Sequence, residues 1–207
     1  MSADNQAVVD GSDVVFLAVG PQIAQEVVLP LTFRPDQSVI SLVAGLDSDL
    51  LAGWIASAVG ICRAIPVPLV ADLCGVTAVY PHDPVAIDIF SALGTVVKAR
   101  GASDFDLFGA ACCTMGTFFG ILESTARWME ARGMEYETAR TFLSALSAGL
   151  SQVARSSPSK SLEELRSEFS TSGGLNEQVF DIFRSQGGPQ ALADGLDAAI
   201  ARLTART

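Results

Sequence analysis

Asp13-Val14-Val15-Phe16-Leu17-Ala18-Val19-Gly20-Pro21-Gln22 places six apolar residues in a row before a glycine and a proline. A run this short, closed by turn residues, reads as a strand buried on both faces. Pro21 then stands in the first turn of a short amphipathic helix over 21–31, where a missing N–H costs nothing. The same alternation repeats downstream. Strands are expected at 13–19, 38–45, 60–66, 75–81 and 94–100. Helices are expected between them at 21–31, 47–58 (with an acidic N-cap) and 83–93. Strands separated by helices imply a parallel α/β sheet.

After Gly101 the strand signals stop. One long helix is expected over 108–133, ended by Gly133, and others over 135–156, within 157–169, over 176–186 and from 189 to about 206. The fold class is therefore α/β plus all-α, with domains at 1–100 and 101–207. Within the long helix, Gly109, Cys113, Gly116, Gly120 and Ser124 form a stripe of small residues, and Met115, Phe118, Phe119, Leu122 and Met129 fill much of the remainder. A helix apolar on nearly all sides must be buried on all sides. About a hundred residues of helix cannot easily do that alone, so we expect a homodimer or higher homo-oligomer through 101–207.

Composition narrows the function classes. Of the 207 residues 49% are hydrophobic and 17% charged, a globular and not a disordered balance. Net charge is −10 and both halves are acidic, which argues against a nucleic-acid footprint. Every apolar run is interrupted by Gly, Pro or a charge, so no membrane span is expected. The four cysteines form no C-x-x-C pair and read as free thiols in a reducing, cytoplasmic compartment. With one histidine in the chain, no metal site is expected. His82 in "YPHDP" reads as an exposed loop residue. Arg63, ending a strand, could meet a phosphate or carboxylate, or form a structural ion pair. No Ser-His-Asp set and no catalytic carboxylate pair is found, so no catalytic side chain is assigned.

The order of these segments resembles the pyrroline-5-carboxylate reductase family along almost the whole chain. The family's D-V-V-x-L-A-V-K-P-Q stands at 13–22 with Gly20 in place of Lys. Its S-x-x-A-G is matched by Ser41, Ala44 and Gly45. Its R-A-M-P and G-x-T-A are matched by Arg63-Ala64-Ile65-Pro66 and by Gly75, Thr77 and Ala78, but Val67-Pro68-Leu69 replace Asn-Thr-Pro. The S-P-G-G-T-T turn appears one residue short, as Ser172-Gly173-Gly174 followed by Leu175-Asn176. The S-G-S-G-P-A-Y segment is lost.

The resemblance implies a partial Rossmann-like sheet followed by a helical dimerisation domain. It implies NAD(P)H-dependent reduction of a cyclic imine, a step of proline synthesis. Alternatives are a related NAD(P)-dependent oxidoreductase acting on another carboxylate substrate, or a non-catalytic dimeric remnant. NADPH or NADH would be met by Asn5, by Ala18, Val19, Gly20 and Pro21 after one strand, and by Ala44 and Gly45 after the next. These could equally be plain strand-to-helix turns. The small carboxylate substrate would be met by Thr171, Ser172, Gly173, Gly174 and Asn176, a turn whose N–H groups and hydroxyls suit an anion and also suit a helix N-cap. The family's first strand, its G-x-G-x-x-G turn and its second strand have no counterpart here. We therefore expect that the true start lies upstream or that the copy is truncated or decayed, and that cofactor binding needs the missing segment.

Overall fold

The structure, a computed structural model, describes residues 4–55 and 60–205. It divides into two compact units, Met1–Cys112 with Asp197–Thr207, and Cys113–Leu196. The division expected from sequence at 100/101 differs at both ends, because the first helix beyond Gly101 and the end of the last helix fold with the sheet.

Unit 1 is built on a five-stranded sheet in the order β1-β2-β3-β4-β5: Val14–Leu17, Ser38–Ser41, Gly60–Pro66, Gly75–Tyr80 and Gly94–Lys98. Helices α1 (Asn5–Asp10), α2 (Ala24–Val28), α3 (Ser48–Trp54) and α4 (Pro84–Ser91) alternate with the strands, and α5 (Ala102–Cys112) follows them. Residues 56–58 of the helix expected over 47–58 lie outside the described residues. Strand β3 has the expected bounds; the other four are shorter than expected because the apolar runs extend into the turns, where no ladder continues.

Pairing is parallel except between β3 and β4, which run antiparallel, a correction to the wholly parallel sheet expected from the alternation. The cause is the connection. Only residues 67–74 join the two strands, with a 3₁₀ turn at Pro68–Asp72. That is too short for the dozen residues a parallel crossover needs.

Successive side chains of a strand feed two cores. Val15, Leu17 and Val39 join Val9 of α1, Ala24 and Val28 of α2 and Leu51 of α3 on one face. Ile40, Cys62, Ala64 and Val79 join Ala86 and Phe90 of α4 on the other. A third cluster packs Phe105 of α5 against Ala78 and Ala99. Arg63 is buried there, 3.6 Å from Asp106 and stacked 4.4 Å from the Phe105 ring centroid. Its structural reading is the one the geometry supports. His82 is exposed, and its Nε2 lies 3.1 Å from the Ala99 carbonyl oxygen.

Unit 2 holds α6 (Met115–Glu130), α7 (Tyr136–Ser156), α8 (Leu162–Glu168), α9 (Leu175–Ser185) and the first part of α10 (Gly188–Thr204). The single helix expected over 108–133 is broken between Cys112 and Met115, where Cys113 and Thr114 supply weak helix propensity. Helices α6 and α7 pack through Ala126, Ala139 and Leu143. Tyr136 donates to Glu123, and Arg127 bonds Glu123 and Glu130. Helix α8 carries a complete Ser161–Glu164 capping box, and Arg166 stacks on Phe180 of α9.

Much apolar surface stays uncovered in this unit, including Phe118, Phe119 and Ile121 of α6 and Phe142 of α7. By length and composition, the helical stretch Ala102–Glu130 would suffice to cross a membrane, with a mean hydropathy of 1.5 in its best window. This corrects the expectation that none would. A window average tolerates the glycines and charges that interrupt each run.

Candidate functional site

Two turns that the sequence singles out lie at the carboxyl ends of the adjacent parallel strands β1 and β2, the place where open α/β sheets bind ligands. After β1 the chain turns through Ala18-Val19-Gly20-Pro21, with the Ile23 N–H donating to the Gly20 carbonyl at 3.1 Å. After β2 it turns through Ala44 and Gly45. Gly45 has φ +71°, a left-handed conformation that side-chained residues rarely adopt. That turn aims the backbone at Asp47, whose carboxylate caps α3 by accepting the Asp49 N–H at 2.7 Å.

A cleft of about 800 Å³ opens beside these turns. Pro21, Ala44 and Gly45 line it, as the sequence nominated; Ala18, Val19, Gly20 and Asn5 do not. Ala18 and Gly20 are exposed nearby, Val19 packs against the first core, and Asn5 starts α1. The remaining walls were not anticipated. Gln22 and Gln25 contribute amides, Leu46, Leu50 and Trp54 an apolar surface, and Arg202 and Leu203 come from the last turn of α10. The α3 residues were legible as a helix face. The α10 residues carried no local signal, because a contact across more than 150 residues leaves no periodicity.

The size of the cleft lies within the range of small-molecule sites, and its lining mixes apolar side chains with the Gln22 and Gln25 amides, the Asp47 carboxylate and the Arg202 guanidinium. At Gly45 an added Cβ would stand 3.5 Å from the Leu203 carbonyl, so the backbone itself forms that wall. Among the described residues no group of His, Cys, Asp and Glu could hold a metal ion.

In unit 2 the turn Thr171–Gly174 precedes α9. Gly173 has φ +71°, and Gly174 is the helix N-cap. An open hollow of about 690 Å³ runs from Gly173 and Gly174 along Glu177, Gln178 and Asp181. Three of the donors nominated here have an internal acceptor. The Gly173 N–H donates to Glu177 Oε2 at 2.6 Å, and the Gly174 N–H donates to the Thr171 carbonyl at 2.8 Å. Asn176 Nδ2 donates to the Phe169 carbonyl at 2.6 Å. Glu177 therefore sits where an external carboxylate would sit. It is the residue that motif matching overlooked, although an acidic residue three positions past a helix cap is a known capping signal.

The remaining titratable group of note is Cys62. Burial first, and then the nearby Asp83 carboxylate, push its thiol up to about 11. It is an inert core thiol.

Residues 102–205 match the family model for pyrroline-5-carboxylate reductase dimerisation. A pyrroline-5-carboxylate reductase of Vibrio alginolyticus is 26% identical over 97% of this chain and 78% of its own length. Among solved structures, a pyrroline-5-carboxylate reductase from Coxiella burnetii superposes with a TM-score of 0.83 at 25% identity, over 98% of this chain and 78% of that one. A Plasmodium falciparum pyrroline carboxylate reductase, solved with NADP bound, gives 0.85 at 17% identity, over 99% of this chain and 81% of that one.

Proposed function

The chain belongs to the pyrroline-5-carboxylate reductase family, and from that premise we propose that it reduces the C=N bond of a cyclic imine carboxylate at the expense of NADPH or NADH. The observation that carries the reading is the cleft where the β1 and β2 turns meet, lined by Pro21, Ala44 and Gly45. The NADP held by the Plasmodium falciparum relative supports a nicotinamide cofactor here.

A bound nicotinamide would supply the hydride for the imine carbon, and the imine nitrogen, already protonated, would become the amine. The chain's own contribution is positioning. Pro21 and the Ala44-Gly45 backbone would hold the flat ring, with Leu46, Leu50 and Trp54 as its apolar surroundings. The turn Thr171–Gly174 with Asn176 is proposed as the seat of the substrate carboxylate, which requires Glu177 to release the Gly173 N–H. The apolar surface of α6 and α7 is of the kind that homo-oligomers bury, as expected of the matched dimerisation domain.

The test is spectrophotometric. The protein is mixed with 1-pyrroline-5-carboxylate and NADPH or NADH up to millimolar concentration, and loss of absorbance is followed with proline formation. Equimolar oxidation of the nucleotide and appearance of proline support the proposal. No turnover with either nucleotide overturns it and leaves a related oxidoreductase acting on another carboxylate substrate or the non-catalytic reading.

A further inference from the structure

We propose that Arg202, in the last turn of α10, is the anion-reading residue of the cleft, and that it takes the phosphate of a nicotinamide nucleotide. The inference rests on the cleft being a nicotinamide site. It goes further by naming a residue that no motif nominates and the ligand group that this residue would meet.

Three observations carry it. The end of α10 is seated in unit 1 by its neighbour Leu203. Gly109 of α5 leaves room for that side chain: a Cβ on Gly109 would stand 3.3 Å from Leu203 Cδ1 and 3.5 Å from Ile65 Cδ1. The Leu203 carbonyl faces Gly45 on the other side of the cleft wall. Arg202 is thus delivered to the cleft lining by a packed contact.

The second observation is charge. In a chain with 23 acidic and 13 basic side chains, most guanidinium groups find an acid. Arg34, Arg63, Arg100, Arg127, Arg166 and Arg184 each hold an acidic partner. Among the described residues Arg202 has none, nor do Arg155 and Arg132, the latter stacked on Trp128; of these three only Arg202 lines the cleft. Asp47, the carboxylate on the same cleft, is engaged in capping α3.

The third is the character of the remaining lining. Apolar Pro21, Leu46, Leu50 and Trp54 and the amides of Gln22 and Gln25 suit a flat ring bearing an amide, and among the described residues the lining holds no other cation. A planar guanidinium next to such a surface is suited to paired hydrogen bonds with phosphate or carboxylate oxygens.

Binding is read from Trp54, which lines the cleft. Trp128→Phe removes the second of the chain's two tryptophans, so that fluorescence reports Trp54 alone. Four probes are titrated: reduced nicotinamide mononucleotide, which carries the phosphate; reduced nicotinamide riboside, which lacks it; cyclopentanecarboxylate; and cyclopentanol. The expected result is that the mononucleotide binds more tightly than the riboside. Arg202→Gln should then weaken the mononucleotide about tenfold, leave the riboside unchanged, and be largely rescued by Arg202→Lys.

If Arg202→Gln weakens only cyclopentanecarboxylate, the anion source is a carboxylate and the phosphate assignment is overturned. Equal affinity of parent and Arg202→Gln for every probe overturns the role of Arg202 while leaving a bound riboside as support for the nicotinamide reading. Tight, Arg202-dependent mononucleotide binding without any imine reduction does the reverse: it supports the inference and removes the proposed reaction. No response to any probe overturns the inference.

Discussion

Replacing Glu177 with alanine should strengthen, not weaken, the response to a carboxylate substrate. In the native chain the Glu177 carboxylate accepts the Gly173 N–H at 2.6 Å and so competes for the donor that an incoming carboxylate would use. A charge-assisted hydrogen bond contributes about 1.5–3 kcal/mol, but this one is exposed, and solvent screening reduces it to about 0.5–1 kcal/mol. Removing the competitor should therefore lower KM for the carboxylate substrate about two- to fivefold. Glu177→Gln keeps a neutral acceptor in place and should fall between the two. The assay is steady-state imine reduction at saturating nucleotide, with KM and kcat separated. Helix α9 also loses an acidic residue from its first turn, a cost of about 0.3–1 kcal/mol that thermal unfolding would register and that leaves KM untouched. A KM that is unchanged, or that rises in the order parent, Gln, Ala, would refute the competition argument and return the turn to a helix cap.

Gly45→Val should raise KM for the nucleotide and lower Tm, because a β-branched residue at φ +71° costs about 1–3 kcal/mol; an unchanged nucleotide KM would remove the turn from the site. Asp106→Asn should destabilise unit 1 by about 3 kcal/mol in urea unfolding, since it removes an acidic partner of the buried Arg63 charge; a loss under 1 kcal/mol would mean that the remaining contacts of Arg63, the Phe105 stacking among them, suffice. Gly116→Leu should shift light scattering toward the protomer. Among the described residues nothing lies within 4 Å of the added Cβ, and leucine favours the helix by about 0.5–1 kcal/mol, so a loss reports on the partner copy. Cys62 should resist alkylation at pH 8 while exposed Cys74 reacts. Its folded pKa lies above the usual value near 9, so the unfolded chain ionises first and the contribution of this group to stability is lost as pH climbs from 9 to 11.

The sequence by itself determined the order and kind of most elements, because each is a local pattern: a short apolar run between turn residues, or a helical period between caps; α1 and the separate α5 were not anticipated. It also located the Ala44-Gly45 turn, since a glycine between a buried strand and an acidic N-cap has few other uses. What local pattern could not decide was everything set by contacts between distant segments. The antiparallel placement of β4 depends on the length of the 67–74 connection, while its apolar alternation is the same in either direction. Arg63 could meet a ligand or an acid until α5 packed Asp106 and Phe105 against it. The donors of the Thr171–Gly174 turn look free in one dimension, and only the folded backbone brings the Glu177 carboxylate to the Gly173 N–H. The cleft owes one wall to Arg202 and Leu203, more than 150 residues from the turns they face. Periodicity reports which face of a segment is buried, whereas only tertiary packing selects its partner, because many distant apolar surfaces would satisfy the same pattern.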